Sequence, residues 1–321
     1  MKNVRIIGTG SYTPDNIVSN KDLSSFVDTS DEWISSRTGI KNRRISTGEG
    51  TVSLSVEAAK RAIASSGITP DEIDLIIVAT ICSDHCTPSA ACEVQRDIGA
   101  HDAMCFDMNA ACSGFVYALN TATAYIKMGM AKKALVIGTE VLSRLTDWED
   151  RSTCVLFGDG SGAAIISESE EVGIDNFYCR SLGSLSEHLV CGSRDFVNPY
   201  TNQKVDPYIR MNGQEVYKFV CTYVPNAIKK VIEQSPYTFE DIDHFVLHQA
   251  NMRILDSVAK RLKIDKDKIY SNIQSYGNTS AASVPIVLDE MIRKGILKKG
   301  HKIVIAGFGG GLTYGAGMIT L

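Results

Sequence analysis

The chain has 321 residues, of which 44% are hydrophobic and 22% charged, the balance of an ordinary globular protein long enough for two compact units. A formal charge of −4, from 33 basic and 37 acidic side chains, leaves no basic excess to hold nucleic acid or an anionic membrane. No segment reaches the roughly 20 apolar residues of a membrane span, and the apolar run at the start is too short for a signal peptide, so the sequence predicts a cytoplasmic protein.

In chain order, the helix-like stretch Ala59–Ile63 precedes Asp71-Glu72-Ile73-Asp74 and the apolar strand Leu75–Val78. Nine cysteines scattered from Cys82 to Cys221 suit small core residues better than a disulfide framework. Cys82 and Cys86 with His85 lack a fourth ligand at zinc-site spacing, so no metal is expected. The strand-like Met104–Met108 then leads through Asn109-Ala110-Ala111-Cys112-Ser113-Gly114-Phe115 into a helix-like segment reaching Ile126. That order puts Cys112 at or near a helix N-terminus, where free backbone N–H groups and the dipole favour a thiolate. A cysteine at a tight turn is more often a packing residue, so Cys112 becomes a candidate nucleophile only through its context.

Further on, the strand-like Lys133–Ile137 is followed by the glycine-rich Phe157–Gly162, to which a structural role is assigned. The acidic Ser167–Glu171 ends in Gly173 and marks a join, with an N-terminal half over 1–170 and a C-terminal half over 171–321. Between Arg180 and Gln214 the periodicity lapses, which predicts a loop or cap over one face. His248 follows the strand-like Phe245–Leu247, at the sheet edge where open α/β folds bind ligands, although a satisfied core histidine is the plainer alternative. Asn278 sits in the polar turn Tyr276–Ser283, where a turn or cap asparagine is equally natural. The run Phe308–Leu312 lacks the spacing of a phosphate or dinucleotide loop, but its backbone could offer an N–H to an oxyanion.

The two halves repeat one another. Glu72 and Asp241, each just before an apolar run, are 169 residues apart (241 − 72), and the same shift relates Lys133–Ile137 to Lys302–Ala306, Ala59–Ile63 to Ile228–Ile232, and Asn109 to Asn278. The pattern predicts an α/β chain of two duplicated halves, each a largely parallel sheet covered on both faces. Cys112 and Asn278 then belong to pseudo-equivalent turns facing one site.

The motifs Asn109–Phe115, His248-Gln249-Ala250-Asn251 and Gly277–Ser283, together with Thr29–Ile34, Arg37–Ile40, Pro88–Cys92, Asp150-Arg151 and Phe308–Gly311, resemble in order and spacing the β-ketoacyl-[acyl carrier protein] synthase III family of the thiolase superfamily. The resemblance runs end to end and implies a thiolase-like fold, two α/β halves in a layered α-β-α-β-α core, acting as a homodimer. It implies an acyltransferase that starts fatty acid synthesis by joining an acyl-CoA primer to malonyl-[acyl carrier protein] with loss of carbon dioxide. Its catalytic residues would be Cys112, His248 and Asn278, with an oxyanion hole from the N–H groups of Cys112 and Gly310. Coenzyme A would be bound by Trp33, Arg37, Arg151, Gly213 and Asn251, with no metal or redox cofactor. Thr87, small where straight-chain members carry an aromatic, would line the primer pocket across the dimer and admit branched or longer primers. Arg253, Lys260 and Arg261, on the helix after His248, offer a patch for the acidic carrier protein, a solvated helix face being the alternative. Plain thiolases use a second cysteine and elongating synthases a second histidine where this chain has Asn278. A papain-like protease shares the order Cys, His, Asn but needs no duplicated halves.

Overall fold

The structure, a computed structural model, describes residues 2–321. Strand Leu75–Ala79 is five buried apolar residues without alternation, as a strand covered on both faces must be. It pairs in parallel with Met104–Met108 on one side and Lys133–Val141 on the other. Beyond Lys133–Val141 the sheet continues through Asp159–Ser169 to Asn3–Tyr12, each antiparallel to the strand before it.

The second sheet repeats that plan. His244–Leu247 lies parallel to Lys302–Gly309, followed by Thr313–Thr320 and Ile174–Ser181 in antiparallel pairing. It has four strands, not five: in place of a counterpart to Met104–Met108 there is a lone parallel bridge between Phe245 and Ile269. Both sheets are mixed, where the sequence predicted largely parallel ones. Only Gly310, Gly311 and Leu312 join Lys302–Gly309 to Thr313–Thr320, and so short a link closes an antiparallel hairpin but cannot make a parallel crossover.

Helices Gly114–Lys127 and Ser283–Arg293 lie between the sheets. Phe115 and Leu119 of one and Val284 and Val287 of the other share a single core with Val136 and Ile305, one from each sheet. Thr51–Ser66 and Ala90–Ile98 cover the outer face of the first sheet, and Gly213–Glu233 and Met252–Leu262 that of the second. Five layers result, α-β-α-β-α. Local chemistry sets the helix ends: Ser89 caps Ala90–Ile98, whose first N–H groups at Ala90 and Ala91 donate to the Asp107 carboxylate, and Gly99 ends it at φ 79°. Gly10 lets Thr51–Ser66 lie directly on the first strand, since a Cβ there would come within 2.4 Å of the Ala62 nitrogen.

The stretch between Arg180 and Gln214 is a cap with structure of its own. A short 3₁₀ turn, Gly183–His188, leads into Leu189–Cys191 paired with Ile209–Met211, and between them Phe196–Asn198 and Thr201–Gln203 form a hairpin. Such three-residue strands carry too little apolar periodicity to be read from sequence. No helix among the described residues is long and apolar enough to cross a membrane.

Candidate active site

Both central helices are entered through the same irregular turn. In the first half Asn109 Oδ1 accepts the Ala111 N–H at 3.3 Å, Ala111 takes a left-handed φ of 46°, and a 3₁₀ turn over Ala111–Ser113 runs into the helix. In the second half Asn278 Oδ1 accepts the Ser280 N–H at 2.9 Å, Ser280 has φ 49°, and the 3₁₀ turn covers Ser280–Ala282. Every member of the second turn stands 169 positions after its partner in the first (278 − 109, 280 − 111). Duplication therefore extends to backbone angles and brings Cys112 and Asn278 to one cavity.

That cavity measures about 1590 Å³, and Cys112, His248, Asn278, Asn251, Gly213 and Gly310 are all on its wall. It exceeds the roughly 300–1,000 Å³ of a typical small-molecule pocket, as a long ligand needs. The cap closes one side through Leu189, Cys191 and Ile209. Cys112 is pressed against the strand Lys302–Gly309: a Cβ on Gly309 would lie 2.7 Å from the Cys112 nitrogen and 3.0 Å from its Sγ. The Thr313 hydroxyl sits 3.0 Å from the Ala110 carbonyl and 2.9 Å from that of Gly310, and accepts from Ser113 at 2.7 Å, which ties the nucleophile turn to the glycine loop.

His248 is buried at the strand's end, its N–H donating to the Ala306 carbonyl at 2.8 Å. Its Nδ1 lies 2.6 Å from the Ser283 hydroxyl, and the Phe308 ring meets it edge-on at 4.9 Å. Burial pushes His248 down to about 3, so the ring is neutral at physiological pH. Asn278 is held by Leu156 and Gly158, with Asn278 N–H donating to the Leu156 carbonyl at 2.9 Å and Gly158 N–H to the Asn278 carbonyl at 3.0 Å. The Phe157–Gly162 segment thus supports the site directly. With Oδ1 occupied by Ser280, the Asn278 amide keeps its N–H₂ as the free donor.

The surroundings of Cys112 act on its thiol in opposite senses. Loss of water pushes its thiol up to about 12, with the Glu140 charge adding to the rise and the Ser280 hydroxyl opposing it. The residue precedes the helix Gly114–Lys127 by one short turn, and the dipole of that helix acts against the effect of burial.

The guanidinium groups of Arg37 and Arg151 lie 4.8 and 4.9 Å from the Trp33 ring centre, and of these three residues Arg37 lines the cavity while Trp33 and Arg151 do not. Arg253 lines it too, while Lys260 and Arg261 are exposed farther along the helix Met252–Leu262. Thr87 is exposed and does not reach the cavity of its own chain. Cys82, His85 and Cys86 do not converge: Cys82 is buried with its thiol donating to Glu140 at 2.9 Å, whereas His85 pairs with Glu93.

Models of the 3-oxoacyl-[acyl-carrier-protein] synthase III family match residues 106–183 and, for its C-terminal part, 232–321. A β-ketoacyl-[acyl-carrier-protein] synthase III of Clostridium acetobutylicum is 56% identical over 318 residues, 98% of each chain. The chain belongs to this family. The crystal structure of 3-oxoacyl-[acyl-carrier-protein] synthase III from Aquifex aeolicus superposes with a TM-score of 0.94 at 44% identity, covering 99% of this chain and 100% of that one. The priming β-ketosynthase of the R1128 polyketide pathway matches equally well in shape, TM-score 0.94, at 35% identity, over 100% of this chain and 96% of that one.

Sequence reasoning missed Ser283, Thr313, Ser280 and Glu140. Ser283 closes a motif already singled out, and Glu140 is a lone carboxylate ending the apolar run Ala134–Gly138 at a strand's C-terminal edge, which is itself a signal of a working group.

Proposed function

We propose that the chain initiates fatty acid synthesis, transferring an acyl group from acyl-CoA to Cys112 and then condensing it with malonyl-[acyl carrier protein]. The observation that carries this reading is the meeting of Cys112, His248 and Asn278 on one cavity wall. The Cys112 sulfur attacks the thioester and holds the acyl group while coenzyme A leaves, so the reaction divides into two halves. Loss of carbon dioxide from the malonyl thioester then puts negative charge on its carbonyl oxygen.

His248 and Asn278 meet that charge as hydrogen-bond donors. Ser283 Oγ accepts the Gln249 N–H at 3.2 Å, so its own proton is free for His248 Nδ1, and Nε2 is left carrying the ring proton toward the cavity. A neutral imidazole donates without having to lose a charge. The enolate carbon attacks the acyl-cysteine, and the N–H groups of Cys112 and Gly310 receive the tetrahedral oxyanion, an interaction of about 3–4 kcal/mol per donor. Side chains and backbone groups supply every step, so the reading calls for no metal or redox cofactor.

The adenine of coenzyme A stacks at Trp33 with Arg37 and Arg151 beside its phosphates, and Gly213 and Asn251 line the path inward. Arg253, Lys260 and Arg261 form the carrier-protein patch. A homodimer in the cytoplasm completes the reading: Met104–Met108 is an edge strand, Met104 is 44% exposed, and pairing of two such edges would cover it. Thr87 would then reach the partner's primer pocket and leave room for branched chains, an idea lost if acetyl-CoA outcompetes isobutyryl-CoA by a wide margin. The deciding experiment is intact mass after exposure to acyl-CoA. An acyl adduct absent in Cys112→Ala is expected; no adduct, or one that survives the substitution, sinks the assignment.

A further inference from the structure

Glu140 is fully buried at the end of Lys133–Val141, and every group that hydrogen-bonds it is uncharged. Its Oε2 receives the Thr80 hydroxyl and the Ile81 N–H, each at 3.1 Å, and the Cys82 thiol at 2.9 Å. Its Oε1 receives the Ser280 hydroxyl at 3.1 Å. Ser280 is itself buried, held in a left-handed conformation beside Asn278, and its hydroxyl also interacts with the Cys112 thiol. Cys112 and Ser280 line the same cavity, and the Ser280 hydroxyl joins that wall to an acid that lies behind it. Of the ionisable side chains that feel its charge, Cys82 reaches it from the loop after Leu75–Ala79, Cys112 from the nucleophile turn and Cys191 from the cap.

We propose that Glu140 accepts the proton that Cys112 gives up on acylation, with the Ser280 hydroxyl passing it between them. The proposal rests on the acyl-Cys112 reading above. The thiol proton moves to the Ser280 oxygen as the Ser280 proton moves to Glu140 Oε1. The sulfur lone pair attacks the thioester carbonyl, and coenzyme A leaves as a thiolate with the electrons of the broken C–S bond and takes a proton from water. When the 3-oxoacyl product departs, sulfur regains its bonding pair and the proton returns from Glu140 along the same path.

Beside the 3.1 Å contact of Ser280 with Glu140, three electrostatic features favour this route. His248, the other candidate base, binds a proton only near pH 3. Burial, partly offset by its hydrogen bonds, pushes Glu140 up to about 7, where it exchanges a proton readily in the physiological range. A Glu140 anion raises the Cys112 thiol, so transfer moves one negative charge from oxygen to sulfur and never leaves two buried anions side by side.

The test is the rate of Cys112 acylation by acyl-CoA against pH, read by quenched intact mass. The wild-type rate should climb to a plateau above about pH 7, where Glu140 is ionised. Glu140→Gln should lose the plateau, rise continuously to high pH, and be about 100-fold slower near pH 7.5, with malonyl decarboxylation changed by less than about threefold. A Glu140→Gln profile matching wild type overturns the relay, as does an equal fall in decarboxylation. Should Glu140→Gln not fold, Ser280→Ala decides, since it keeps the carboxylate and removes the carrier: the same loss of plateau supports the relay and an unchanged profile overturns it. Absence of any adduct on the wild-type chain refutes the acyl-enzyme reading itself.

Discussion

His248 Nδ1 and the Ser283 hydroxyl stand 2.6 Å apart, one at the end of a strand and the other in the first turn of a central helix. This contact fixes which ring nitrogen faces the cavity. Ser283→Ala should therefore slow malonyl decarboxylation, by up to the roughly 10²-fold of a lost oxyanion donor, while Cys112 acylation stays close to wild type. Separate assays of the two half-reactions check this, and equal loss in both would remove the orienting role.

The buried His248 ring also ties folding to pH. Its folded value is pushed from the ordinary 6.5 to about 3, so between those limits the unfolded chain binds a proton that the folded one does not. Stability is full above about 6.5 and is lost as pH falls from there toward 3. Urea unfolding at about pH 7 and pH 5 should show a loss roughly 2 kcal/mol larger in the wild type than in His248→Gln. Glu140, present in both chains, cancels from the comparison.

Gly309 leaves room for the nucleophile. An added Cβ would sit 2.7, 2.8 and 3.0 Å from the nitrogen, Cβ and Sγ of Cys112. Gly309→Ala should cost about 1–3 kcal/mol of stability through overpacking and displace the sulfur enough to suppress acylation. Thermal unfolding and adduct mass measure the two effects, and a fully acylated variant would contradict the crowding.

Removal of the Trp33 ring should weaken capture of acyl-CoA by about 1–3 kcal/mol of stacking, roughly fivefold to 150-fold in KM, with kcat little changed. A fall in kcat without a rise in KM would place Trp33 outside the coenzyme A path.

The sequence showed the duplication because it is written in residue types: Lys133 and Lys302, Asn109 and Asn278 keep their chemistry across the repeat. Cys112 and His248 were legible because each lies in a turn at the end of a strand, and Asn278 because it repeats Asn109 at the same shift of 169 residues. Strand direction was not legible, since a buried run such as Lys302–Gly309 reads the same in a parallel or an antiparallel pair. The missing fifth strand escaped as well, because absence of pairing leaves no mark on periodicity. Ser283 and Ser280 were invisible as partners of His248 and Glu140, because hydroxyls serve any polar turn equally and only packing decides what they face. The state of Cys112 depended on the water around it, which composition cannot report.

Ala111 and Ser280, both side-chain-bearing residues in the left-handed region, carry a consequence for how far this chain can be improved. Each such residue costs about 1–2 kcal/mol that glycine would not, and they flank the one place where geometry must not drift. A screen for heat resistance would reward relaxing these turns and, in doing so, would select against turnover. The centre of the molecule is where thermal robustness and chemistry compete, so stabilising substitutions belong on the outer helices.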